Sequence, residues 1–166
     1  MSMFTMSTFD RYLHTIITEG AVEAQRHGSA TVEAQHLLLA VTAQEGTAPQ
    51  RVLASAGLDH QAVRAALDRE FDHSLSTVGV SRASFGIPLS SATLRRPPTM
   101  GATGKLALDR GFALVSRKKD LRPAHVLLGI LLAEVGTVPR ALALAGVDRT
   151  DLLTRVRDIV ANDDIG

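Results

Sequence analysis

Two histidines stand where chemistry would be sought first. Glu33-Ala34-Gln35-His36 has the carboxylate-to-imidazole spacing that sets two metal ligands on one helical face. A di-iron centre needs that pair twice, with further carboxylates. The position matching Glu33 in the second half of the chain is Arg122, a cation that repels a metal. His36 and His125 are therefore read as structural, each in the first turn of an apolar helix, where an imidazole can bond orphan backbone groups. Gly101-Ala102-Thr103-Gly104-Lys105 has part of a phosphate-binding loop. The full pattern needs Gly at position 99 and Ser or Thr at 106, where Thr99 and Leu106 stand, so it is read as a helix start.

Nothing else assembles into a reactive group. No Gly-x-Ser-x-Gly elbow occurs, cysteine is absent, and His14, His27, His60 and His73 show no ligand spacing with one another. The sequence predicts no enzyme, no cofactor and no metal site. Arg117-Lys118-Lys119 and Arg95-Arg96 are the basic clusters. They read either as solvated loops or as a small patch for an acidic peptide or a phosphate.

The elements that would position any site are helical. Hydrophobic residues make up 45% of the 166 residues and aromatics 4%, an Ala/Leu/Val stock suited to packed helices. The net charge of +1 offers no general attraction to nucleic acid. No apolar run is long enough to span a bilayer and no secretory signal is read at the N-terminus, so a cytoplasmic monomer is expected.

The chain also says nearly the same thing twice. Gln35-His36-Leu37-Leu38-Leu39 recurs as Ala124-His125-Val126-Leu127-Leu128, and Gly46-Thr47-Ala48-Pro49 recurs as Gly136-Thr137-Val138-Pro139. Ala56-Gly57-Leu58-Asp59 returns as Ala145-Gly146-Val147-Asp148, with the same 89-residue offset (36 to 125, 57 to 146). A repeat of this length means one folded unit duplicated. The expected fold is all-α, two pseudo-symmetric four-helix repeats with about eight helices. Residues 1–8 form an N-terminal tail, 9–71 the first repeat, 72–103 a linker and 104–162 the second repeat. In detail, helices are expected from Ala34 to Ala43, from His60 to about Phe71, from Leu106 to Val115 and from Pro123 to Ala133, and no strand pattern is visible.

These doubled motifs, with Phe9-Asp10-Arg11-Tyr12 and Pro98-Thr99-Met100-Gly101-Ala102 at the head of each copy, resemble the Clp N-terminal repeat domain of Hsp100 unfoldases, closest to the ClpC/ClpA type. The resemblance spans about residues 9 to 160. It implies a non-enzymatic docking platform for adaptors and substrate peptides, modulating Clp-dependent proteolysis as a stand-alone protein without the ATPase modules. Its partners would be Clp ATPase and protease components, adaptors or substrates. A decoy that sequesters adaptors or cyclic-peptide antibiotics is a second reading. A helical nucleic-acid-associated regulator is a third, disfavoured by the small net charge.

The resemblance also implies two kinds of site. The family places a Glu before each signature His to hold the guanidinium of phosphorylated arginine. Gln35 and Ala124 stand there instead, so that binding should be weak or absent. The family's peptide groove lies along the first helix and the linker, which points to Phe9, Leu13, Phe85, Ile87 and Leu89. For these residues core packing (Leu13) or a tether (the others) is the competing reading.

Overall fold

The computed structural model describes residues 6–79 and 96–163. Its elements run α1 (Thr8–Arg26), β1 (Thr31–Val32), α2 (Ala34–Ala43), α3 (Ala48–Ser55), α4 (His60–Thr77), β2 (Thr99–Met100), α5 (Ala102–Phe112), a 3-10 turn (Lys118–Asp120), α6 (Pro123–Leu131), α7 (Thr137–Leu144) and α8 (Arg149–Asp163). The described residues thus form eight helices in two sets of four, and the fold is all-α.

Local chemistry explains the boundaries. Ser7 caps α1, its hydroxyl accepting from the Asp10 N–H at 3.0 Å. Asp59 caps α4 through the Ala62 N–H at 2.7 Å, and Asp148 accepts from the Thr150 N–H at 2.9 Å at the start of α8. Gly57 and Gly146, at φ +79° and +74°, take the left-handed conformation that closes α3 and α7. The helices α2 and α6 are apolar nearly all round. Leu37, Leu39, Leu127 and Ile130 are fully buried, and one continuous core joins the two repeats.

Both signature histidines do one job. The Glu33 N–H donates to His36 Nδ1 at 2.9 Å, and the Arg122 N–H donates to His125 Nδ1 at 2.8 Å. Each imidazole thereby satisfies a backbone donor at the start of a buried helix, as read from the sequence. Among buried side-chain atoms of the described residues, the Tyr12 hydroxyl meets no partner, and burial pushes its pKa up.

Several boundaries differ from those the sequence suggests. Helix α4 continues past Phe71 to Thr77, because nothing in that polar stretch breaks a helix before Gly79 at φ +78°. Helix α5 starts at Ala102 and ends at Phe112, a turn earlier than its apolar spacing indicates, and α6 ends at Leu131. A two-residue parallel bridge, Thr31 with Thr99 and Val32 with Met100, appears where no strand was expected. Segments that short carry no periodicity to read.

The bridge is half of a clasp between the repeats. Glu33 reaches across it: its carboxylate accepts from the Thr103 N–H at 3.1 Å, the Thr103 hydroxyl at 2.9 Å and the Thr31 hydroxyl at 2.8 Å. Thr103 in turn accepts from the Ala34 N–H at 3.0 Å, so each repeat caps a helix of the other. Burial alone would raise the Glu33 pKa. The hydrogen bonds from Thr31 and Thr103 outweigh it, helped by His36, and the carboxyl lies below its usual range. A depressed acid stabilises the fold above its unfolded pKa, and that contribution is lost as pH falls through the lowered value. Glu33→Gln is expected to cost about 2 kcal/mol in urea unfolding at neutral pH. A loss below about 0.5 kcal/mol would show that the clasp adds nothing beyond packing.

Two further buried acids tie elements together. Glu23 on α1 pairs with Arg64 on α4 at 3.0 Å and with His60 at 3.3 Å. Glu70 on α4 pairs with Arg140 on α7 at 2.9 Å, a second link between the repeats.

Candidate functional site

The predicted groove residues that fall among the described ones, Phe9 and Leu13, lie together on the first turns of α1. Phe85, Ile87 and Leu89 lie outside the described residues. Phe9 packs edge-on against Phe112 at the end of α5, ring centroids 6.3 Å apart at 80°. The chain then turns through Val115 and the 3-10 turn to Leu121, which is buried. Between α1 and this turn opens a cavity of about 440 Å³, floored by Phe9, Leu13, Phe112, Val115 and Leu121. Its size suits one or two apolar side chains of a peptide.

The rim is charged. Asp10, Ser116, Arg117 and Lys118 line the cavity beside the apolar residues. Lys118 Nζ stands 3.4 Å from Asp10 Oδ1, and Arg117 Nε donates to Asp120 Oδ2 at 3.1 Å. The Ser7 side chain, then Lys118, hold the half-buried Asp10 carboxyl below its usual range. Arg122 is turned away, its guanidinium donating to the carbonyls of Lys119 and Leu121, both at 3.1 Å. It braces the turn.

The positions substituted relative to the phosphoarginine pattern sit elsewhere. Gln35 is half-buried in the first turn of α2, and Ala124 is buried in the first turn of α6. Glu33, the carboxylate nearest Gln35 in sequence, is committed to the clasp. The metal-like spacing of Glu33 and His36 is likewise taken up by Thr103 and by a backbone donor. No group of His, Asp and Glu among the described residues is arranged to hold a metal ion.

Sequence reasoning missed Phe112, Val115 and Leu121 as partners of Phe9 and Leu13. They come from the far repeat, about a hundred residues away, and no pattern within either copy announces the pairing. A second depression, about 310 Å³, lies between α3 and α8 over Ala48, Val52 and Ile159. None of the groove or ligand-site candidates read from the sequence lines it.

Comparison with known proteins places this architecture. Residues 8–95, just over half of the chain, match the family described as Clp repeat (R) N-terminal domain. The chain belongs to that family, which makes it a protein-binding module of the Clp system. The crystal structure of the N-terminal domain of the caseinolytic protease associated chaperone ClpD from Arabidopsis thaliana is similar in fold. Its TM-score is 0.62 at 19% identity, over 90% of this chain and 94% of that one. A search of curated protein sequences finds no match. No helix among the described residues is long and apolar enough to cross a membrane.

Proposed function

We propose that this protein docks partner proteins of the Clp unfoldase–protease system and thereby modulates Clp-dependent proteolysis. The docking surface is the groove between the start of α1 and the turn after α5. The observation that carries this reading is the open, apolar-floored cavity over Phe9 and Leu13, on a fold whose family is built for docking. A reconstituted Clp ATPase and protease, degrading an unfolded model substrate, tests it directly. Excess of the chain is expected to change the degradation rate, and Leu13→Asp is expected to abolish the change. Equal rates with and without the chain would contradict the proposal.

We also expect paired phosphoarginine recognition to be weak or absent. Neither Gln35 nor Ala124 carries the charge a guanidinium needs, and each lost charge-assisted hydrogen bond removes about 1.5–3 kcal/mol. Calorimetry with free phosphoarginine is expected to show no binding below the millimolar range. Submillimolar affinity would overturn this.

A further inference from the structure

The two repeats fold the same way but carry opposite charge at one equivalent place. After the first helix of repeat 1 the chain reads His27-Gly28-Ser29-Ala30-Thr31-Val32-Glu33, without a Lys or Arg. At the 89-residue offset repeat 2 reads Ser116-Arg117-Lys118-Lys119-Asp120-Leu121-Arg122, with four cations. Arg122 braces its own turn, but the scaffold does not require Arg117, Lys118 or Lys119, since the first loop makes the equivalent connection without a Lys or Arg. Arg117 and Lys118 are also well exposed, at 63% and 76% of their side-chain surface. Exposed cations of this kind add little to stability.

What the first loop does instead is close its own side of the molecule. Its residues form the bridge with Thr99 and Met100, and the Glu33 carboxylate lies against Gly101 and Thr103. A carboxylate of the chain itself therefore occupies that side. On the other side Arg122 stands in place of Glu33, no bridge forms among the described residues, and the apolar cavity is left open beneath Arg117 and Lys118.

We propose that this groove takes a peptide segment of a protein partner in which a carboxylate side chain stands next to an apolar one. The inference rests on the docking reading above and adds the chemistry of the occupant. The apolar side chain enters over Phe9, Leu13 and Phe112, and the carboxylate meets Lys118 and Arg117. Among the residues that line the cavity, the cations Arg117 and Lys118 stand against one acid, Asp10; Asp120 pairs with Arg117 from beside it. Asp10 holds Lys118 in the free protein and competes with the incoming carboxylate. The proposal is of one such site per chain, because the equivalent place is occupied by Glu33.

Fluorescence anisotropy with the full chain tests this on three labelled short peptides: one with an Asp-Leu-Phe-Glu core, one with Asn-Leu-Phe-Gln, and one with Asp-Ser-Ser-Glu. The first is expected to bind best, and each of the others roughly tenfold more weakly. The exposed reversals Lys118→Glu and Arg117→Glu should each weaken the first peptide several-fold, with circular dichroism unchanged. Asp10→Asn should tighten it a few-fold by releasing Lys118. Equal binding of the amide peptide would overturn carboxylate recognition while leaving the docking groove standing. Equal binding of the serine peptide, or stronger binding of single-stranded DNA or phosphatidylserine vesicles, would reduce the site to a charge patch and overturn the proposal. Failure of all three peptides to bind would sink the proposal and the groove together.

Discussion

A single methyl group placed on Gly129 is expected to destabilise this protein by about 3 kcal/mol or more. Gly129 lies on α6 where that helix crosses α5. A Cβ built there runs into the Ala107 carbonyl oxygen and comes within 2.8 Å of the Gly111 nitrogen. Gly111 faces back with the same constraint, its Cβ meeting the His125 carbonyl oxygen at 2.5 Å. Both obstacles are backbone, so no rotamer change relieves them, and α5 and α6 must separate along the core of repeat 2. Helix propensity alone would favour alanine by up to about 1 kcal/mol, well short of the clash. In a chain of this size the loss corresponds to a fall of roughly 10 °C in Tm. Thermal unfolding of Gly129→Ala checks this, and a Tm within about 2 °C of the parent would contradict the packing described.

The second large effect is acid sensitivity at His36. The imidazole is 3% exposed, and its Nδ1 accepts the Glu33 N–H. Protonation would turn that acceptor into a donor facing a donor. Burial, then the nearby His27, lowers the pKa to about 4, against the opposing pull of Glu33 and Glu23. The sign follows from linkage. The unfolded chain takes up the proton near pH 6.5 and the folded chain near 4. The contribution of the neutral ring is complete above about pH 6.5 and drains away as pH falls toward 4. Between pH 7.5 and pH 5 the loss is about 2 kcal/mol from this residue. Urea unfolding of the parent and of His36→Gln at both values isolates it, because the variant should lose about 2 kcal/mol less on acidification. Parallel losses in the two proteins would contradict the assignment.

The duplication made the fold readable. Asp59 and Asp148, Gly57 and Gly146, and His36 and His125 recur at one offset, and each pair takes the same cap or turn in both copies. Local chemistry dictates these features, so sequence suffices for them. The contacts between copies were not legible, because they depend on which surfaces meet. The parallel bridge spans two residues per strand. Thr103, which reads as part of a helix start, proves to be the partner of Glu33. The candidate site shows the same division. Phe9 and Leu13 stand out on the first helix, whereas Phe112, Val115 and Leu121 join them only through tertiary packing. One clue was present in the sequence. The loop at 116–122 carries four cations where its counterpart carries none, a difference visible once the copies are aligned.

Photo-crosslinking from the groove tests the central claim most directly. A photoreactive phenylalanine analogue replaces Leu13 in the full chain, and the same analogue replaces exposed Arg69 on α4 as a control. Each protein is irradiated with purified Clp ATPase, its adaptor and a Clp substrate. The groove reading predicts adducts to one of these three from position 13, lost when Arg117 and Lys118 are reversed to Glu, and few from position 69. Equal adducts from both positions, or none from position 13, would contradict it.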